Sequence, residues 1–60
     1  MNLKKRFLRV FYKLPLEELK YTVVILDGEP MSWKVVKQEV DQMTSVGDEC
    51  LSKLAEMGII

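Results

Sequence analysis

Residues 15–33 have the sequence PLEELKYTVVILDGEPMSW, and the conformation of this stretch decides the fold of the chain. Its apolar residues recur at the intervals of three and four that mark one face of a helix: Leu16, Leu19, Val23 and Leu26. Pro15 stands just before them, and proline is favoured at the first position of a helix. This spacing predicts a helix that begins near Pro15 and ends at the Asp27-Gly28 pair.

The same stretch also has the features of a β-hairpin. Residues 22–25 are all β-branched, which favours a strand, and Asp27-Gly28 is a strong signal for a two-residue hairpin turn. Pro30 argues against a hairpin, because proline cannot donate a hydrogen bond to a neighbouring strand. We therefore predict an all-α fold, and an α+β fold with a short hairpin at about residues 21–33 is the alternative.

Three further segments have helical spacing. The first covers residues 2–12, where Asn2 is the expected N-cap and apolar residues recur along one face. The other two are expected to begin at the N-caps Ser32 and Ser45, and Gly58 is placed to end the last one in a left-handed conformation. The prediction is a single domain over residues 1–60, in which a basic N-terminal helix (residues 1–14) precedes a three-helix, helix-turn-helix core (residues 15–60).

The last ten residues, LSKLAEMGII, carry a family resemblance. Together with the capped helix and tight turn before them, they resemble the tri-helical core of winged helix-turn-helix proteins over about residues 15–60. The family's wing strand would start where this sequence ends. The resemblance implies DNA binding, with the second helix of the pair in the major groove. It also implies contacts from four residues of the pair: Lys34, Lys37, Ser45 and Lys53.

Composition narrows the classes of function. Hydrophobic residues make up 48% of the chain and charged residues 30%, which is typical of a folded domain. With no histidine and Cys50 as its one cysteine, the chain is expected to hold no zinc site and no cofactor, and not to be an enzyme. No apolar run approaches the length of a membrane span, so the expected compartment is the cytoplasm. A chain this short has little room for a core, so a homodimer or a protein partner is a natural outlet for surplus apolar surface.

The charge distribution gives the functional prediction. Residues 1–13 carry five basic side chains and no acid, whereas residues 14–60 carry four bases and nine acids. The N-terminal bases are expected to contact phosphates, as part of a small nucleic-acid-binding domain of the transcription-regulator type. These residues are Lys4, Lys5, Arg6, Arg9 and Lys13. The alternative is a protein–protein adaptor that binds no nucleic acid and uses the acidic exposed face of the last helix.

Overall fold

The computed structural model describes residues 2–60 and has an α+β fold. Its elements in chain order are α1 (Leu3–Phe11), a single 3₁₀ turn (Leu16–Glu18), β1 (Thr22–Leu26), β2 (Glu29–Ser32), α2 (Trp33–Asp41) and α3 (Ser45–Glu56). The two strands form an antiparallel hairpin. α2 packs against β2 and α3 against β1, and α1 packs on α2 and α3. The all-α prediction is therefore wrong, and residues 22–32 have the hairpin that the sequence left as the alternative.

A hairpin forms here instead of a helix because the turn and the strand pairing are compatible with each other in this stretch. Asp27 and Gly28 both have positive φ, 51° and 80°, as the two central residues of a type I′ turn require. The turn pairs Leu26 with Glu29 and, further along, Val24 with Met31. Both members of that second pair are buried, so one face of the hairpin contributes to the core. The helical spacing of residues 16–26 was accidental, and Leu16 is 88% exposed.

Pro30 fits this hairpin without breaking a hydrogen bond. In a hairpin with a two-residue turn, the pair next to the turn is hydrogen-bonded and the following pair is not. Pro30 lies opposite Ile25 in that second, non-hydrogen-bonded pair. Its nitrogen therefore faces the free edge of β2, where no donor is needed, and the argument against a hairpin does not apply.

α1 begins and ends where the sequence predicts a helix. The side chain of Asn2 accepts a hydrogen bond from the backbone N–H of Lys5, and Tyr12 is the C-cap. Phe7 is fully buried, with its ring centroid 5.9 Å from that of Trp33 at the start of α2. α1 thus packs on α2 by its apolar face, and its lysines are left on the outside.

α2 and α3 are packed against each other and joined by residues 42–44. Ser32 caps α2 as predicted, by accepting from the N–H of Val35 at 3.2 Å. The predicted cap of α3 at Ser45 is wrong by one residue. Thr44 accepts from the N–H of Gly47 instead, and its hydroxyl donates to the Glu39 carboxylate at 2.8 Å.

Both helices of the pair end in the same motif, in which a left-handed residue reverses the chain. In α3 that residue is Gly58, as predicted, with φ at 75°, and the N–H of Ile59 donates to the backbone carbonyl of Leu54. In α2 it is Met43, with φ at 57°, and the N–H of Thr44 donates to Glu39. Every element except the 3₁₀ turn contributes to the buried core, which consists of Phe7, Val24, Met31, Val36, Val40, Cys50, Leu51, Leu54 and Ile60.

Candidate nucleic-acid interface

The exposed side of α1 and the residues just after it carry three of the five N-terminal cations that the sequence predicts as phosphate contacts. Lys5 and Arg9 are one helical turn apart and both are exposed, and Lys13 continues the line just beyond the helix. Tyr12 lies between them in sequence and is 72% exposed. α1 and the two residues after it contain no acid, so no carboxylate of this segment offsets these three charges.

The lysines of α2 extend this line of charge. The Lys37 ammonium lies 5.7 Å from the ring centroid of Phe11 and 5.8 Å from that of Tyr12, which places it against the end of α1. Lys34 is exposed and lies one turn before Lys37. We call this combined surface the basic face. It consists of Lys5, Arg9, Tyr12, Lys13, Lys34 and Lys37.

Lys37 is the one member of the basic face with an ion pair in the described part of the chain. It bonds to the carboxylate of Asp41, four residues later on α2. This hydrogen bond is the main reason that the pKa of Lys37 is raised above its usual value, although partial burial of the ammonium opposes it. The pair holds the Lys37 ammonium beside the two rings, so its role on the basic face is to join α2 to α1.

Arg6 does not belong to the basic face. It is half-buried and donates a hydrogen bond to the backbone carbonyl of Ile60. Arg6 and Arg9 differ by three positions on one helix, yet one ties α1 to the end of the chain and the other faces solvent. The sequence prediction treated both as phosphate contacts.

Lys4 also lies apart from the basic face. It lines a groove of about 700 Å³ between α1 and α3, together with Asn2, Leu3, Asp48, Leu51 and Ser52. The groove therefore contains one base and one acid. This mixed charge makes it a poor site for a phosphate.

α3 places its predicted contacts, Ser45 and Lys53, on an acidic surface. Both are exposed, but so are Asp48, Glu49 and Glu56 of the same helix. Lys53 lines a groove of about 400 Å³ that also includes Asp27 and two of those acids. In a helix-turn-helix protein this is the helix that would enter the major groove, and its carboxylates would repel the phosphates there.

Tyr12 is the member of the basic face that the sequence prediction missed. A signal for it existed, because Tyr12 stands between Arg9 and Lys13 and outside the apolar line Leu3, Phe7, Phe11 and Leu14. An exposed aromatic ring among cations is the combination that binds single-stranded nucleic acid, where bases stack on the ring.

Cys50 is fully buried in the core. Burial, and secondarily the nearby Glu39 and Glu49, raise the pKa of its thiol. A raised pKa leaves little thiolate at neutral pH, so Cys50 has no feature of a reactive nucleophile.

Comparison with protein-family models, with curated proteins and with solved structures finds no match for this chain. Within residues 2–60 no helix has the length and apolar character that crossing a membrane requires. Over the same residues, no three acidic or cysteine side chains converge as they would around a metal ion.

Proposed function

We propose that this chain binds the phosphate backbone of a nucleic acid through the basic face. The observation that supports this most is the contact of Lys37 with Phe11 and Tyr12, which joins the lysines of α2 to the cations of α1. Electrostatic attraction to phosphates supplies most of the sequence-independent affinity of such proteins. In this arrangement α2 contributes its lysines to the basic face, and α3 supports the fold without entering a groove.

The number of exposed cations sets the expected salt dependence. Lys5, Arg9, Lys13 and Lys34 are exposed, and each can displace one counterion from a phosphate. The logarithm of the association constant should then fall with the logarithm of salt concentration with a slope of about −3 to −4. Removal of one contact should reduce the magnitude of that slope by about one.

The test is an anisotropy titration of a labelled random duplex, and of one of its strands, over a series of salt concentrations. The double variant Arg9→Ala, Lys13→Ala should weaken binding to all sequences alike and reduce the magnitude of the slope by about two. Lys53→Ala is the control, since it removes an exposed lysine from the acidic face of α3. The proposal would be refuted if the double variant weakened binding no more per charge removed than the control does, or if neither substrate bound at low salt.

A protein–protein adaptor is the second candidate, and the exposed acids of α3 favour it. Asp48, Glu49 and Glu56 would suit a basic partner surface, and Val46 and Met57 of the α3 region add exposed apolar area. This function requires no nucleic-acid affinity. A chain that leaves the anisotropy of both substrates unchanged at low salt would favour the adaptor.

A further inference from the structure

The hairpin has two strand edges, and they differ in how well they are protected from other strands. β1 and β2 form a two-stranded sheet, so each has one edge that faces away from the other strand. The free edge of β2 carries Pro30, whose ring replaces a donor, and the charged Glu29. Both features prevent a further strand from pairing there. β1 has neither, because its five residues, TVVIL, contain no charge and no proline.

The free edge of β1 also has unused backbone groups. Since Ile25 and Pro30 form a non-hydrogen-bonded pair, the N–H and C=O of Ile25 point away from β2. Among residues 2–60, the backbone hydrogen bonds that connect different elements involve neither Val23 nor Ile25. The bulge of β1 lies between Thr22 and Val24, so the strand is regular from there to Leu26.

An apolar groove of about 360 Å³ runs beside this edge. It is lined by residues 22–25 of β1 and by Lys53 and Met57 of the α3 region. Ile25 is 59% exposed and Met57 51% exposed, which is high for side chains of their size. A strand that pairs with β1 would cover both of them.

The charges at the two ends of β1 indicate which strand would pair with its free edge. Lys20 stands two residues before the strand and Asp27 directly after it, and both are exposed. Two β1 strands in antiparallel pairing bring Lys20 of each copy close to Asp27 of the other. Parallel pairing would instead oppose like charges. β1 is therefore complementary to itself about a two-fold axis, as a symmetric dimer requires.

We propose that two copies of this chain associate through β1 in antiparallel register, to form a four-stranded intermolecular sheet. The proposal does not depend on nucleic-acid binding. The contact is small, because one short strand and Met57 cover less than the roughly 800 Å² per partner of a standard interface. We therefore expect a weak dimer, with a dissociation constant on the order of 10–100 µM.

The test is sedimentation equilibrium of the full chain from about 1 µM to about 1 mM, without nucleic acid. Ile25→Lys places a charge in the middle of the edge and should weaken the dimer at least about tenfold, because the ammonium would lose water on pairing. Leu16→Lys is the matched control, as it makes the same change at an apolar residue that is 88% exposed and outside the groove. It should leave the dimer unchanged.

Two further measurements keep the proposal testable if Ile25→Lys fails to fold. Lys20→Glu opposes two acids at each end of the paired strands, so it should weaken the dimer at low salt and less at high salt. In the wild-type chain, the amide of Ile25 should exchange with solvent more slowly as protein concentration rises. A chain that stays monomeric up to the highest concentration would overturn the proposal. The β1 edge would then be a binding site for an extended segment of another protein. A dimer that is insensitive to both variants would overturn the assignment to β1.

Discussion

Replacement of Gly47 by alanine tests the close approach of α3 to the backbone of α2. Gly47 is buried near the start of α3, where the backbone of α2 crosses it. A Cβ atom at this position would lie 2.8 Å from the carbonyl oxygen of Glu39 and 3.0 Å from the nitrogen of Val40. Ordinary contacts of a Cβ begin at 3.4 Å. Because the obstructing atoms belong to the backbone, the two helices would have to separate by about half an ångström.

Effects of opposite sign decide how much Gly47→Ala changes the free energy of unfolding. Alanine is a better helix former than glycine by about 1 kcal/mol, which favours the variant. Overpacking of a close contact costs typically about 1–3 kcal/mol. The shift would also strain the 3.2 Å backbone bond from Thr44 to Glu39 that closes the turn. The bond that caps α3, which the Thr44 hydroxyl accepts from the N–H of Gly47, would be strained as well, and full loss of a cap costs about 1 kcal/mol. We therefore expect Gly47→Ala to lower the free energy of unfolding by about 1–2 kcal/mol.

The assay is urea and thermal unfolding followed by circular dichroism. A loss of this size lowers the melting temperature by roughly 5–15 °C for a chain of this length. Ser52→Ala is the control, because Ser52 is exposed on the same helix and its replacement changes helix propensity alone. If Gly47→Ala is as stable as the wild-type chain, or more stable, then α2 and α3 do not approach each other closely at Gly47.

Two further predictions concern the end of α2. Met43 has a left-handed conformation, which is strained for a residue other than glycine, and it is 81% exposed. Met43→Gly should therefore raise the free energy of unfolding in urea by about 0.5–1 kcal/mol. A lower free energy of unfolding would contradict the presence of this strain. The raised pKa of Lys37 means that its pair with Asp41 stabilises the fold fully below the unfolded pKa of lysine, and that this contribution is lost as pH rises through the higher folded value. Asp41→Asn should therefore cost no more than about 0.5 kcal/mol at neutral pH, the usual value of an exposed pair one turn apart, and a cost that persists above the folded pKa would contradict this assignment.

The sequence predicted the helices well because several independent signals agreed at each of them. α1 had a continuous apolar face and Asn2 as a cap, and α2 had Ser32 at its start. α3 had Gly58 at its end. Thr44 and Ser45 are adjacent residues that both favour the cap position, so a pattern alone could not choose between them. The structure chooses Thr44, since its hydroxyl bonds to Glu39 and Ser45 has no such partner within the described residues.

The sequence failed at residues 16–26 because two patterns overlapped there. Four apolar residues at helical intervals are a small sample, and the same residues also fit a strand. Two facts that depend on pairing decided the outcome. Asp27 and Gly28 adopt the turn that fits the twist of a hairpin, and Pro30 lies at a position where its missing donor has no effect. The turn has a local signal in the Asp-Gly pair, but the position of Pro30 is not local, because it exists only once the register of β1 against β2 is set.

The candidate site was predictable in composition but not in arrangement. The excess of N-terminal bases was visible in the sequence, yet Arg6 and Arg9 have different roles because three residues along a helix turn a side chain through about 300°. Arg6→Ala would remove the bond to Ile60, so any loss of nucleic-acid affinity in that variant would include a loss of stability. Arg9 is exposed, and its replacement changes charge with little effect on packing. Variants that compare the basic face with the acidic surface of α3 must therefore leave Arg6 in place. Otherwise a weakened fold would be taken for a weakened interface.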